Sequence, residues 1–315
     1  MKRIFFLSVL ATFVFAGCSS DDLTVNNVGG EDDLVTPEVE VAVNTQGPMT
    51  GTLEVFPCTV NSSIYYGNYF NNKQSAIPGM YALANGAVSG TPVRPILLPV
   101  GAYNMLYWGT TQVGEIITSN PSINGPQLTL GGDLSQKYFS LVQSLSDTTY
   151  LPVIDLAYAV VPTYIGTDKL SAVLKRQTAG MQVIVKNSNN TVLDSSIDSM
   201  SVRDREKLNM YTAAPVNQTK TVAFPLTLSA DGMQMSNIPV MLFPSAENPL
   251  FQLMITLKNG TVKTFKQALN NSLKTNTQLT LTLTIGDLFS EENTGGFTVD
   301  SWEAESESID IPSIN

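Results

Sequence analysis

The side chains that most often perform chemistry in proteins are scarce in this chain. It has no histidine and only two cysteines, Cys18 and Cys58. Without histidine it cannot build a Ser-His-Asp triad, a Cys-His pair or an HExxH zinc site. A pair of carboxylates could hydrolyse glycosides, but the acidic residues cluster in loops and at the C-terminal end rather than at strand ends inside apolar runs. We therefore predict no enzymatic activity, no metal site and no cofactor apart from a lipid.

Cys18 follows a segment that is typical of exported proteins. Lys2 and Arg3 precede a short apolar run, and Phe15-Ala16-Gly17-Cys18 follows it. The run is too short to span a bilayer as a helix. Small residues directly before a cysteine resemble the lipobox of bacterial lipoproteins, in which the cysteine is acylated. We predict a lipoprotein signal peptide over residues 1–17 and a lipid anchor on Cys18 in the outer membrane. The alternative is an ordinary signal peptide followed by an incidental cysteine.

Cys58 lies in an apolar, strand-like run, Leu53–Val60. If Cys18 is acylated, Cys58 has no partner for a disulfide. We predict a buried, unreactive thiol.

The charge balance excludes one class of partner. The chain carries 27 acidic and 17 basic residues, a formal net charge of −10. Loss of Lys2 and Arg3 with the signal peptide makes the mature chain more acidic still. Because an acidic surface repels phosphate backbones, we predict no nucleic-acid partner.

Residues 18–36 are acidic and rich in Ser, Asp, Asn and Gly, which predicts a flexible tether. Acidic residues directly after the lipidated cysteine also resemble the export signal of surface lipoproteins, so we expect surface exposure. From Pro37 onward, short apolar runs alternate with turn residues, and no long helical period occurs. This pattern predicts an all-β protein of two antiparallel β-sandwich domains, residues 37–166 and 167–315, separated at Gly166-Thr167-Asp168.

Three segments give specific predictions. The run Tyr103–Trp108 is nearly all apolar or aromatic, which predicts a strand covered on both faces. Asn259-Gly260 separates two alternating runs and predicts a hairpin, and Leu279–Ile285 alternates strictly between Leu or Ile and Thr. Asp198–Met210 is the most charged segment, and we expect a solvated loop there.

Several of these segments, taken in order, resemble the fimbrillin family of Bacteroidales, whose members are lipoprotein precursors of pilus shaft, tip and anchor subunits. The resembling segments are Phe15–Cys18, Leu98–Gly109, Leu170–Val185 with Lys175-Arg176, Leu273–Leu283 and Phe297–Glu303. They are spread over most of the mature chain and keep the family's order.

The resemblance implies two tandem transthyretin-like sandwiches, no catalysis and assembly with other fimbrial subunits by strand exchange. In the family, an early strand is released and a neighbour's extended segment fills the groove. Here the released strand would lie within Pro37–Pro57, with Val39, Val41 and Val43 filling pockets. The inserted segment would be the acidic tail, with Ile309 and Ile311 as its apolar side chains.

One departure from the family concerns processing. Shaft subunits are trimmed at a basic residue after the first strand, whereas this chain has no Lys or Arg between Arg3 and Lys73. Either a different protease acts, or the subunit is an anchor or accessory protein that keeps its lipid. We favour the second interpretation.

A rival function is a glycan-binding surface lipoprotein. Five aromatic residues could stack on sugar rings if they were exposed; they are Tyr65, Tyr66, Tyr69, Trp108 and Trp302. Trp108 lies inside an apolar run, which favours a core position instead.

Overall fold

The structure, a computed structural model, describes residues 33–44, 49–111, 122–187, 191–193, 197–204, 207–216, 220–245, 247–270 and 272–285. These residues form strands, short turns and no α-helix; a 3-10 turn spans Leu134–Gln136. The first eleven strands are β1 Leu34–Val35, β2 Val39–Asn44, β3 Gly51–Thr59, β4 Asn68–Phe70, β5 Lys73–Ser75, β6 Gly79–Ala84, β7 Ala87–Arg94, β8 Leu98–Pro99, β9 Gly101–Thr111, β10 Tyr138–Phe139 and β11 Leu156–Ile165.

The remaining strands are β12 Leu170–Arg176, β13 Ala179–Asn187, β14 Ile197–Asp204, β15 Lys207–Asn209, β16 Pro215–Val216, β17 Val222–Leu228, β18 Gln234–Ser236, β19 Val240–Leu242, β20 Leu250–Leu257, β21 Val262–Ala268 and β22 Gln278–Ile285. The predicted all-β class is confirmed.

Two large sheets organise these strands. Seven strands close on themselves in the order β11-β12-β2-β7-β6-β3-β9, and we call this the closed sheet. Eight strands form the open sheet, in the order β19-β13-β18-β17-β14-β20-β21 with β22 on the other side of β13. Three small sheets, β1-β8, β4-β5 and β10-β15-β16, complete the pairing among the described residues.

Two of the strand pairs correct the prediction of purely antiparallel sheets. β2 runs parallel to β12, and β22 runs parallel to β13. The other strand pairs of the described chain are antiparallel. Parallel pairing joins segments that are distant in sequence, and short turns between neighbouring strands do not encode it.

The chain also changes from one sheet to the other later than the expected domain boundary at Gly166–Asp168. β12 follows that break but belongs to the closed sheet, where it pairs with β11 and β2. The chain passes to the open sheet only between Arg176 and Ala179. The division into two domains stays a prediction, and the change of sheet lies about one strand later than the predicted boundary.

Two cores stabilise the sheets. The interior of the closed sheet is filled by side chains such as Leu53, Tyr81, Met105 and Leu174. The second core lies between the outer face of β3 and β9 and the open sheet, and it contains Trp108. Because β9 supplies Met105 and Tyr107 to one core and Leu106 and Trp108 to the other, its predicted cover on both faces is confirmed.

A buried ion pair lies at the passage between the sheets. The Arg176 guanidinium donates to both carboxylate oxygens of Asp155, over 2.9 Å from Nε and 2.7 Å from Nη2. The Thr178 hydroxyl donates to the same carboxylate over 2.7 Å. Both charged side chains are less than a tenth exposed. The end of β12 and the start of β13 are thereby fixed to the segment that precedes β11.

Candidate strand-exchange site

β2 is held mainly from one side. Its six residues pair in parallel with β12, from Val39 opposite Leu170 to Asn44 opposite Lys175. On the other side it has one register partner in β7, Ala87, which lies opposite Ala42. The strand therefore closes the sheet with a complete ladder along β12 and a minimal contact along β7.

The three valines predicted to fill pockets share one face of β2. Val41 is buried, and Val39 and Val43 are half-buried against the core of the closed sheet. The alternate residues Glu40, Ala42 and Asn44 are exposed. This alternation follows from the two-residue period of a strand. The structure thus brings Val39, Val41 and Val43 together on the inward face, and their role in strand exchange stays a prediction.

Lys169, at the residue before β12, contacts β2 from outside. Its Nζ lies 2.6 Å from Glu40 and 3.2 Å from Glu38, and all three side chains are well exposed. The hydrogen bonds that Lys169 donates to Glu40 and then to Glu38 raise the pKa of Lys169. Water screens these contacts, so they orient β2 more than they stabilise it. Sequence reasoning did not identify Lys169.

The turn between β6 and β7 holds the far end of β2. Val43 N donates to Gly86 O over 2.7 Å, and Gly86 N donates to Met49 O over 2.8 Å. Asn85 and Gly86 both have positive φ, 52° and 81°, as a two-residue hairpin turn requires. The Asn-Gly dipeptide was a readable signal for this hairpin that our sequence analysis missed.

Three of the predicted site residues lie outside the described residues: Cys18, Ile309 and Ile311. Trp302 lies outside them as well. The structure therefore places the candidate acceptor side of a strand exchange and leaves the tail and the lipid as predictions.

The aromatic residues considered for glycan stacking are core residues where the structure describes them. Trp108 and Tyr65 have no exposed surface, and Tyr69 is 7% exposed. The Trp108 indole packs edge-on against Phe139 and donates to Met210 O over 2.9 Å. Tyr66, half-buried, meets the ring of Tyr103 edge-on. These residues offer no open stacking platform.

The remaining candidates for chemistry are inert. Cys58 is fully buried and unpaired, and burial, followed by the charge of Asp133, raises the pKa of its thiol to about 12. A thiol that stays protonated at neutral pH is a poor nucleophile. Within the described ranges, no group of three or more His, Cys, Asp or Glu side chains could hold a metal ion.

Comparison with protein families identifies the class of protein. Residues 33–308 match the family described as fimbrillin-A associated anchor proteins Mfa1 and Mfa2. The match covers most of the chain, and the chain belongs to this family. Membership indicates a component of a fimbrium at the cell surface, in agreement with the resemblance found in the sequence.

Solved structures support the same fold at low sequence identity. The fimbrial anchor protein Mfa2 from Porphyromonas gingivalis is 12% identical, with a TM-score of 0.54 over 87% of this chain and 100% of that one. A proposed polysaccharide-binding protein from Bacteroides thetaiotaomicron is 13% identical, with a TM-score of 0.53 over 84% and 96%. A proposed adhesin from Bacteroides ovatus is 11% identical, with a TM-score of 0.53 over 87% and 96%.

No curated protein matches the chain significantly. None of the helical turns in the described part of the chain is long and apolar enough to cross a membrane.

Proposed function

We propose that this chain is an anchor or accessory subunit of a cell-surface fimbrium and that it assembles with other fimbrial subunits by β-strand exchange. Family membership supports the fimbrial role. The observation that carries strand exchange is the one-sided pairing of β2, which has six register partners in β12 and one in β7. A strand held in this way can leave without disrupting a second ladder.

The groove left by β2 would define the chemistry of its new occupant. The edge of β12 would offer unpaired backbone groups to an extended segment, and the occupant would replace the side chains of Val39, Val41 and Val43. Backbone hydrogen bonds would then supply affinity, and apolar residues at alternate positions would supply specificity. We expect an occupant with the orientation of β2 to run parallel to β12.

The C-terminal tail is the proposed donor. Ile309 and Ile311 stand two residues apart, the spacing that places two side chains on one face of a strand. Acidic residues surround them, which keeps the segment soluble before it is inserted.

We also propose that the lipid on Cys18 is kept and that it attaches the subunit to the outer membrane. The absence of Lys and Arg between Arg3 and Lys73 supports this role, because a protease that cuts at basic residues could not separate Cys18 from β2. In this proposal the closed and open sheets correspond to the tandem transthyretin-like sandwiches of the family. The protein acts as a structural component without catalysis.

A disulfide lock tests the release of β2. Ala42 and Val173 are register partners in β2 and β12, and both side chains are exposed. Neighbouring strands lie about 4.8 Å apart, within reach of a disulfide. We expect the double variant Ala42→Cys/Val173→Cys, oxidised in the full chain, to lose the ladders of higher-mass bands that subunits joined by strand exchange should give on electrophoresis. Reduction should restore them.

The matched control joins two strands that the proposal leaves in place. Thr52 and Thr110 are register partners in β3 and β9, so Thr52→Cys/Thr110→Cys should keep its ladders when oxidised. Deletion of residues 303–315 tests the donor separately and should abolish the ladders without any lock. Ladders that survive the β2 lock would exclude release of β2, and ladders that survive the deletion would exclude the tail as donor.

A further inference from the structure

The hairpin of β4 and β5 carries an exposed aromatic residue beside its turn. Phe70 lies opposite Lys73, and Asn71 and Asn72 form the turn between them. Both turn residues have positive φ, 52° and 58°, which a two-residue hairpin turn requires and which asparagine adopts more readily than most residues. Since side chains alternate along a strand, Tyr69 is buried and Phe70 is 52% exposed. The turn thus holds a large apolar ring in the solvent.

Two further exposed apolar side chains lie next to this hairpin. Ile77 is 45% exposed, and its N–H donates to the hydroxyl of Ser75, the last residue of β5, over 3.3 Å. Val93 is 67% exposed and precedes Arg94, whose Nη1 donates to Pro78 O over 3.0 Å. Single exposed apolar residues are ordinary, whereas a group of them marks an interaction surface. We call the following residues the tip patch: Phe70, Lys73, Ile77 and Val93.

The stretch that forms the tip patch is free of acidic residues. Residues 55–114 contain no Asp or Glu, although 27 acidic residues in a chain of 315 would give about five in a stretch of this length. Lys73 is exposed and takes part in no ion pair among the described residues. Arg94, the second base of this stretch, lies close enough to Glu54 to offset part of the rise that burial causes in the pKa of that carboxyl. An acidic protein thus presents an apolar patch whose own charge is positive.

The tip patch adjoins the part of the fold that the predicted tether leads into. β1, at residues 34–35, pairs with β8, at residues 98–99. Tyr69 N, in the hairpin, donates to Leu97 O, one residue before β8, over 3.0 Å. β8 therefore adjoins both β1 and the hairpin. About fifteen residues separate Cys18 from β1, and a flexible chain of this length spans about 20 Å on average. A lipid on Cys18 would therefore hold the hairpin close to the membrane.

We propose that the tip patch docks onto the membrane surface that holds the lipid, with Phe70 at the boundary between headgroups and acyl chains and Lys73 beside lipid phosphates. This inference rests on the lipid anchor proposed for Cys18 and does not depend on strand exchange. An apolar ring next to a lysine suits an interface in which acyl chains lie beneath anionic headgroups. Ile77 and Val93 would add apolar contact around the ring.

Docking through one hairpin is weak by itself, and the covalent lipid would make it effective. The lipid keeps the tip patch at a high local concentration next to the membrane, so that docking becomes an intramolecular step. A second copy of this acidic chain could also attract Lys73. It would cover the patch in the absence of any lipid, and this difference separates the two partners by experiment.

Vesicle docking of a tagged chain tests the proposal without the acyl chain. The chain has no histidine, so a hexahistidine tag in place of residues 1–18 attaches it to vesicles that contain a nickel-chelating lipid. An environment-sensitive dye is attached at Gln74→Cys, an exposed position of β5, since Cys58 is buried. We expect its emission to rise and shift to the blue on phosphatidylcholine vesicles with about 30% phosphatidylglycerol, and to respond less on phosphatidylcholine alone. The same dye at Ala230→Cys, in the turn between β17 and β18, should not respond.

Variants of the tip patch measure what each residue contributes to docking. Phe70→Ser should lower the ratio of docked to undocked chains about three- to tenfold, since half of this side chain is already covered. Lys73→Gln should lower it about fivefold on the anionic vesicles and leave it unchanged on the neutral ones. The matched variants Leu145→Ser and Lys258→Gln, at an exposed apolar residue and an exposed lysine elsewhere, should leave the ratio unchanged on both.

The docking surface and the lipid anchor can fail separately. Equal dye responses at Gln74→Cys and Ala230→Cys, or no response to vesicles at Gln74→Cys, would overturn the docking proposal. A response that grows with protein concentration in the absence of vesicles would assign the patch to a second copy of the chain and overturn it as well. Membrane fractionation of cells with Cys18→Ala tests the lipid anchor itself. Unchanged fractionation together with a positive vesicle response would show that the tip patch holds the chain at the membrane without the lipid.

Discussion

β2 and β22 lie near opposite ends of the described chain and join their sheets in the same manner. Each runs parallel to one of two consecutive strands, β12 and β13. The difference is in what they bury. β22 places Leu279, Leu281, Leu283 and Ile285 in the core, whereas β2 has one buried side chain, Val41, and two half-buried valines. Each fully buried side chain contributes roughly 1.5–3 kcal/mol, so β22 is held far more firmly.

The two strands differ less in the length of their ladders than in the side chains they bury. β22 has eight register partners in β13 and β2 has six in β12, a modest difference. The number of buried apolar side chains differs fourfold between the two strands, four in β22 and one in β2. If a strand is released as proposed, we expect the side chains that it removes from the core to determine most of the cost.

The largest effect is expected from the buried Arg176–Asp155 ion pair, which lies where β12, the neighbour of β2, passes to β13, the neighbour of β22. Arg176→Met leaves the Asp155 carboxylate buried without its partner, which costs about 3–5 kcal/mol in similar buried pairs. Chemical denaturation measures the loss. The double variant Arg176→Met/Asp155→Leu removes both charges and should recover most of the stability. A single variant that loses less than about 1 kcal/mol, the value typical of exposed pairs, would show that this pair behaves like one on the surface.

The local part of the fold could be predicted from the sequence because short-range patterns encode it. The hairpin at Asn259-Gly260 is confirmed, with β20 and β21 paired antiparallel and Gly260 at a φ of 83°. The alternation over Leu279–Ile285 is confirmed for its Leu and Ile residues, which are buried, but Thr280 is buried as well. In both segments the local structure is determined by residues that are close together in the sequence.

The long-range part could not be predicted. The segment Asp198–Met210 was expected to be a solvated loop, but the structure has β14 there, paired with β17 on one side and β20 on the other. Its charged residues indicated a surface segment, and its position inside the sheet depends on partners elsewhere in the chain. The same reason explains why the parallel ladders were missed.

In the candidate site too, the features set by local spacing could be predicted and the contacts between distant residues could not. The shared face of Val39, Val41 and Val43 follows from their spacing alone. Lys169 was not foreseen because it lies 129 residues from Glu40 in the sequence. Nothing near either residue indicates the contact.

Two matched truncations of buried side chains, one in each strand, measure how much each strand contributes to the free energy of unfolding. Leu283→Ala in β22 should cost about 2–5 kcal/mol, as for other buried leucines. Val41→Ala in β2 should cost about 1.5 kcal/mol, since it removes two methyl groups at ~0.8 kcal/mol each. Amide hydrogen exchange then measures the free energy of local opening in each strand.

In exchange experiments, the amides of β2 should open below the free energy of global unfolding, and Val41→Ala should accelerate them without affecting β22. Leu283→Ala should instead accelerate exchange across the open sheet. Equal protection of β2 and β22 in the wild-type chain would contradict the comparison.

The smallest effect is expected at Lys169, which contacts β2 only through exposed ion pairs. Its pKa is raised above the ordinary value of 10.5 by Glu40 and Glu38. The protonated lysine is thus favoured in the folded state, and its contribution is complete below pH 10.5 and lost as the pH rises through the raised pKa. Denaturation midpoints of the wild type and Lys169→Gln should therefore differ slightly at pH 7 and converge at higher pH.

Measurements at high salt and with the variant Lys175→Gln distinguish the effect of the Lys169 ion pairs from that of a change in net charge. At 1 M salt the screening length is about 3 Å, so the difference at pH 7 should shrink. Lys175→Gln changes the same charge on the same side of the closed sheet, where the register partner in β2 is the uncharged Asn44. If Lys175→Gln accelerates exchange in β2 as much as Lys169→Gln does, net charge rather than the Lys169 contacts holds the strand. If only Lys169→Gln does so, these contacts retain β2 in addition to its three valines.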